Sequence, residues 1–412
     1  MRYHRRALLP APGTRARRGS PSAQRLQENP AVDFLLNEDQ EMMRQAAADF
    51  AKREIEPHIR QWDDRAEFPR DVFRKAGELG FLGVLVPEAY SGAGLGYVEY
   101  VTIVEEISKV DPAIGLSVAA HNSLCTGHIL QYGSEEQKKK YLPRLATGQW
   151  IGAWGLTEPT AGSDAGGTRT TATRDGDGWV LNGAKTFTTH GGVGEVAVLF
   201  AVTDPDKGHD GISAFIVESD NPGYSVGKHE DKLGMRASDT CEVVLQDCRV
   251  PAEAMVGEPG SGFRAAMGVL DGGRISIAAL ALGTAAGAYQ HALAYARERE
   301  QFGRKIGTFQ SIGNMLADMA TEVDAARLLT YRAASLKDQG KKTTRESAMA
   351  KLYASETAVR VANDAIQVFG GYGYVKDYPV EKFYRDAKLC TIGEGTSEIQ
   401  RLVIARQILG RL

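Results

Sequence analysis

The sequence predicts an α+β fold: a helical block, a central antiparallel β unit, and a second helical block. Three observations lead there. From Leu36 to about Gly148 the apolar residues recur at helix spacing. Between Trp150 and Val256 they alternate or are β-branched in short runs parted by turn clusters. From Phe263 onward the helical period returns, broken sharply at Gly370 to Gly373. Elements segregated in runs argue against an alternating doubly wound sheet. With 412 residues, the chain exceeds what one core usually holds, so several domains are expected. The boundaries read as a basic extension at 1–32, a helical domain at 33–153, a β-domain at 154–262 and a helical domain at 263–412.

In the first block, Asn37 and Gln40 form a capping box ahead of Met42, Met43, Ala46 and Phe50 at helix spacing. Ser91 to Gly96 is a glycine-rich loop, followed by a helix over Tyr97 to Val110. A short helix over Ser134 to Leu142 is expected to be capped by Ser134 and stopped by Pro143. In the middle block the strand candidates are Trp179–Leu181, Val196–Val202, Ile212–Val217 and Cys241–Leu245. Asp175-Gly-Asp-Gly178 and His209-Asp-Gly211 are the turns between them.

Hydrophobic residues make up 43% and charged residues 25%, a globular balance rather than a disordered one. No run of eighteen apolar residues occurs, so no membrane span is expected. The richest apolar stretch, Ile275 to Ala286, suits a buried helix. Cys125, Cys241, Cys248 and Cys390 form no CxxC pair and read as buried small hydrophobes in a reducing compartment. Residues 1–28 hold seven arginines, no lysine and one acid, Glu28. That composition fits an organelle transit peptide, though Pro10, Pro12 and Gly13 interrupt any amphipathic helix, and it fits an inert extension equally well. The location is then the mitochondrial matrix in the first case and a bacterial cytoplasm in the second. The tail carries +6 of a total of −3, which leaves the body at −9. An acidic body argues against nucleic-acid binding.

Gly260-Ser-Gly262-Phe-Arg-Ala265 matches a dinucleotide fingerprint in letters, but it lacks the preceding strand and the parallel crossover that the motif requires. No P-loop, HExxH or GxSxG motif is present. Two longer patterns carry more. One is Gly155-Leu-Thr157-Glu-Pro-Thr-Ala-Gly162-Ser163-Asp164. The other is Gln367-Val-Phe-Gly370-Gly371-Tyr-Gly373-Tyr, continuing through Asp377 to Arg385-Asp386. With their spacing they resemble the two signatures of the acyl-CoA dehydrogenase family, and the resemblance covers about residues 33 to 412.

That resemblance implies FAD as cofactor, an acyl-CoA as substrate and an electron-transferring flavoprotein as acceptor. It also implies a C-terminal four-helix bundle and a homotetramer. It places Trp154, Leu156, Thr157, Ser163, Phe187 and Thr189 at the flavin, with Thr189 near N5 and Phe187 against the ring where many relatives have tryptophan. Arg299, Phe302 and Gln310 would reach the diphosphate and adenine of FAD in a neighbouring subunit, arginine being suited to phosphate. Gln367, Gly370 and Gly371 would approach the same adenosine half, and Thr396 and Glu398 complete the cofactor set. Ser163, Asp271, Arg274 and Gly395 would contact the substrate.

Glu394, in Ile392-Gly-Glu-Gly-Thr396, matches the family's catalytic base. Removing a weakly acidic α-proton needs a carboxylate in a dry site. The alternative base position in some relatives reads Asp271-Gly272-Gly273-Arg274 here and offers no glutamate. Gly393 stands where short- and medium-chain relatives usually have tyrosine, which predicts extra room near Cα and tolerance of α-branched acyl groups. The segment Tyr132-Gly-Ser-Glu-Glu-Gln-Lys resembles short-chain members most. Two further readings on the same fold are an oxygen-using acyl-CoA or nitroalkane oxidase and a DNA-associated alkylation-response flavoprotein.

Overall fold

A computed structural model describes residues 36–410; the basic extension at 1–32 lies outside the described residues. The first helical layer comprises α1 (Glu38–Phe50), α2 (Ile59–Arg65), α3 (Arg70–Glu78), α4 (Tyr97–Val110), α5 (Pro112–Ala120), α6 (Gly127–Tyr132) and α7 (Glu135–Ala146). The capping box at Asn37 forms as expected: Gln40 N donates to Asn37 Oδ1 at 2.8 Å and Asn37 N to Gln40 Oε1 at 3.1 Å. Pro143 does not stop α7. It sits in the last turn, where its missing N–H forfeits one bond to the Lys139 carbonyl, and the full burial of Leu142 and Leu145 carries the helix on to Ala146. The Thr147 hydroxyl donates to the Pro143 carbonyl at 2.8 Å, so the end of the helix is satisfied without glycine.

The middle region folds into one sheet built from β1 (Gly152–Gly155), β2 (Thr171–Asp175), β3 (Gly178–Thr189), β4 (Val196–Val202), β5 (Ile212–Glu218), β6 (Tyr224–His229), β7 (Thr240–Pro251) and β8 (Met255–Val256). Its order is β6-β7-β3-β2-β4-β5-β8, with β1 beside β4. The sheet is mixed rather than wholly antiparallel: β1 pairs with β4 in parallel, and β2 meets β4 in parallel at Thr171 and Val202. β1 and β2 are short and β6 is mostly exposed, so none shows the continuous buried apolar run that marks β4 and β5. β3 and β7 run well beyond their expected ends because two register shifts, at Leu181/Gly183 and Lys185/Thr188, carry the pairing on.

The last region holds α8 (Gly262–Glu298), a β9–β10 hairpin (Glu300–Gln301, Arg304–Lys305), α9 (Gln310–Asp338), α10 (Thr344–Phe369), α11 (Val380–Cys390) and α12 (Ser397–Leu409). The long helices α8, α9 and α10 pack on one another as a bundle, with α11 against α8 and α10 and α12 against α10. α8 passes the length and composition test for a membrane span, but 78% of its most apolar window is buried in the protein, as the Ile275–Ala286 stretch predicts for a core helix. Its Ala- and Gly-rich faces let α4 and α10 approach closely. All four cysteines are free and buried. Gly262 opens α8 next to β8, which pairs antiparallel with β5, so the GxGxxA letters have no dinucleotide-binding context.

Candidate active site

The turn between α11 and α12 sets the geometry of Glu394. The amides of Ile392 and Gly393 both donate to the Leu389 carbonyl, at 2.8 and 2.9 Å, and reverse the chain. Glu394 and Gly395 then adopt consecutive left-handed conformations, φ +52° and +92°. Glycine bears this freely; at Glu394 it costs about 1 kcal/mol. The strain is held by contacts on the Gly395 carbonyl, which accepts from Lys351 Nζ at 2.6 Å and Gln400 Nε2 at 2.9 Å. Thr396 then caps α12 through the Ile399 amide. The outcome is that the Glu394 side chain is laid against α8, where a β-carbon at Gly273 would overlap its Oε2 and would lie 3.6 Å from Leu124.

Although Glu394 is half-buried as a whole, its Oε2 is buried and has no hydrogen-bond partner among the described residues. Burial raises the carboxyl to about 7, with Lys351 and Arg274 opposing the rise. Next to Gly273 on α8, Arg274 pairs with Asp271 one turn back at 2.5 Å, and Asp271 accepts from the Thr344 hydroxyl at 2.7 Å. The ion pair within α8 is therefore real, yet Arg274 Nε remains buried and unpartnered. A vacant acceptor and a vacant donor on neighbouring residues leave hydrogen-bonding capacity that the fold itself does not use.

On the sheet, the Thr186 amide donates to the Thr157 carbonyl at 2.9 Å and brings Thr157 beside the end of β3 that carries Phe187 and Thr189. Phe187 lies in the register shift of β3 with φ +54° and is 64% exposed, so it is not a strand core residue. Trp154 packs edge-on against Phe200 at 4.9 Å and against the Ala120–Leu124–Val269 cluster, and Leu124 also flanks Gly273. Leu156 is buried in the cluster between sheet and helices. Ser163 is exposed. An exposed aromatic on strained backbone, half-buried threonines beside it and open space at Gly162 fit a flat flavin ring laid on this edge.

The remaining expected residues gather elsewhere. Arg299 caps the far end of α8, and its guanidinium stands over the Tyr372 ring at 5.3 Å. Phe302 is 93% exposed with φ +53° and meets Phe309 edge-on, just before Gln310 opens α9. Gln367 is in the last turn of α10, and β-carbons at Gly370 or Gly371 would meet nothing within 4 Å. Arg299 follows Gly273 by twenty-six residues on one helix, about 39 Å at the α-helical rise. Thr396 and Glu398 stay with Glu394. The expected residues thus fall into two groups, one around Glu394 and the neighbouring sheet edge and one at the far end of α8.

Four contributors escape sequence reasoning. Lys351 and Gln400 are separated from Glu394 in sequence or mixed among ordinary helix residues, and only the turn's carbonyl selects them. Glu158, inside the first signature, is structural: it accepts from the Arg169 and Thr170 amides, the Thr170 hydroxyl and the buried Lys185 ammonium at 2.6 to 3.0 Å. Asp386, in the second signature, likewise accepts from buried Lys382 and the Met235 amide, tying α11 to the sheet region.

Comparison with known proteins agrees with this plan. Three family models match: acyl-CoA dehydrogenase N-terminal domain at residues 37–149, middle domain at 153–248 and C-terminal domain at 260–409. The chain is 50% identical over 377 residues to a short-chain specific acyl-CoA dehydrogenase of Clostridium acetobutylicum, covering 92% of this chain and 100% of that protein. It is 48% identical to the mitochondrial short-chain specific enzyme of Rattus norvegicus, covering 91% of each. Among solved structures, butyryl-CoA dehydrogenase from Megasphaera elsdenii superposes with a TM-score of 0.90 at 44% identity, covering 92% of this chain and 100% of that one.

Proposed function

This chain belongs to the acyl-CoA dehydrogenase family of FAD-dependent oxidoreductases, and from that premise we propose that it oxidises a short-chain acyl-CoA to the trans-2-enoyl-CoA with Glu394 as the base. The observation that carries the assignment is a buried carboxyl oxygen without a partner, held by its surroundings at about 7. Such a group is ionised in useful amount at neutral pH yet basic enough to take an α-proton. Bound FAD supplies the acceptor for the hydride that leaves Cβ. The protein's share is to hold the thioester between that ring and Glu394. The Glu394 amide, presented by the left-handed turn, is placed to donate to a thioester carbonyl as enolate charge develops.

Thr157, Phe187 and Thr189 would support the flavin ring, with Trp154, Leu156 and Ser163 around it. Asp271, Arg274 and Gly395 would line the thioester and pantetheine side, where Arg274 Nε is the free donor. Arg299, Phe302, Gln310, Gln367, Gly370 and Gly371 would serve the adenosine half of a neighbouring subunit's FAD. The separation of the two groups along α8 supports a site shared between subunits, and the proposed assembly is a homotetramer. The division into 33–153, 154–262 and 263–412 follows these roles, and an electron-transferring flavoprotein is the proposed acceptor. Residues 1–32 decide between mitochondrial matrix and cytoplasm.

At Gly393 a β-carbon would meet only Leu389, at 3.7 Å or more, so the turn has room where relatives carry a ring. That supports tolerance of α-branched acyl groups such as isobutyryl. Anaerobic titration of the holoenzyme with butyryl-, isobutyryl- and 2-methylbutyryl-CoA, read as flavin bleaching, tests reaction and substrate together. Bleaching by none of these thioesters overturns the function. Peroxide formation without an added acceptor would move the protein to the oxidase class.

A further inference from the structure

Lys351 lies in the middle of α10 and is fully buried. The other buried lysines are neutralised: Lys185 pairs with Glu158, and Lys382 sits between Asp111 and Asp386. Lys351 forms no ion pair among the described residues; its one hydrogen bond is the 2.6 Å contact to the Gly395 carbonyl. An ammonium buried against a single carbonyl costs several kcal/mol relative to a methionine of similar length. Packing alone therefore does not explain it.

We propose that Lys351 is a positioning residue for proton abstraction, clamping the Glu394–Gly395 turn and supplying the positive charge that keeps the Glu394 carboxyl ionisable in its dry site. The proposal rests on the reading of Glu394 as base. Two features support it. The clamped carbonyl belongs to the second of two left-handed residues, so the contact holds the strained part of the turn. The charge also acts where burial alone would leave the carboxyl protonated. The Lys351 ammonium opposes that rise more strongly than the Arg274 guanidinium does. Lys351 itself, drawn down by burial to about 8, stays largely protonated at neutral pH. The groups facing this turn are Arg274 with its partner Asp271 from α8, Tyr100 from α4, Cys390 from α11 and Glu398 from α12. Of these, only Arg274 shares Lys351's sign, and Asp271 already neutralises it.

The test compares Lys351→Gln, which keeps a donor without charge, Lys351→Met, which removes both, and Lys351→Arg, which keeps the charge. The readout is the pH dependence of anaerobic flavin reduction by butyryl-CoA in FAD-loaded enzyme. In Lys351→Gln and Lys351→Met the acid limb should move up by about one pH unit, so that reduction at pH 6 falls about tenfold. Lys351→Arg should keep the limb in place, and Lys351→Met should in addition lower the plateau rate. A uniform loss with an unmoved limb in Lys351→Gln overturns the proposal, because a merely structural lysine would give that result. If Lys351→Met does not fold, the contrast between Lys351→Gln and Lys351→Arg decides. Glu394→Gln separates the two layers: if it still reduces flavin, the base assignment fails, whereas if it is dead and the Lys351→Gln limb is unmoved, only this proposal fails.

Discussion

The carboxyl of Glu394 occupies the volume that a β-carbon on Gly273 would take. The two residues lie on elements more than a hundred positions apart, and the absence of a side chain at one gives the other its place. Gly273→Ala would add helix propensity of about 1 kcal/mol to α8 while displacing a flexible carboxyl tip. The variant should fold, bind FAD and lose flavin reduction by about a hundredfold or more, checked by stopped-flow absorbance against melting temperature.

Proton linkage at Glu394 has a definite sign. The folded carboxyl keeps its proton to about 7, whereas the unfolded chain releases it near 4.5. Between those values the folded state binds the extra proton, so this residue's contribution to stability declines as pH rises, by about 3 kcal/mol at most. Glu394→Gln should therefore gain more in melting temperature over wild type at pH 8 than at pH 5. In wild type, kcat/KM for butyryl-CoA should climb through about pH 7 as the base ionises.

Glu158 and Lys185 form a buried pair whose carboxylate also accepts two backbone amides. Glu158→Ala strands an ammonium and leaves those amides bare, at a cost of about 3–5 kcal/mol. Adding Lys185→Met should recover part of the loss. Denaturant melts of the single and double variants measure the coupling.

The proposed sharing of the FAD site between chains predicts a complementation result. Arg299→Ala and Glu394→Gln subunits should each be inactive alone. A mixed pair would contain one site with both residues intact, so co-expression should restore about a quarter of wild-type activity for random pairing. A site completed within one chain would restore none.

Gly393→Tyr should fold, since its β-carbon makes only ordinary contact with Leu389, at 3.7 Å or more, and should lower the isobutyryl-CoA to butyryl-CoA rate ratio by about tenfold or more, the scale of a steric block in a pocket. Paired steady-state assays check it.

Periodicity in the sequence exposes the long elements well. The Asn37 box and the Tyr97–Val110 helix match their predicted positions because each satisfies its hydrogen bonds locally, and the Val196–Val202 strand does so because its apolar run is buried and paired between β1 and β5. β1, β2 and β6 were illegible because they are short or exposed, and parallel pairing of β1 with β4 is a tertiary matter. At the site, Glu394 and Phe187 stand out only through motif spacing. Lys351 and Gln400 were hidden, since nothing in a helix sequence says which carbonyl of a distant turn its residues will meet. The signature residues Glu158 and Asp386 are braces, and a motif does not display the partners that a buried charge demands.

α8 runs without proline from the housing of Glu394 to Arg299. If each catalytic centre borrows the far end of a neighbour's rod, that rod is also a ruler: its length fixes the spacing between centres. Pocket mutations can then alter what each centre accepts without changing the spacing, whereas inserting one helical turn mid-rod would throw both ends out of alignment together.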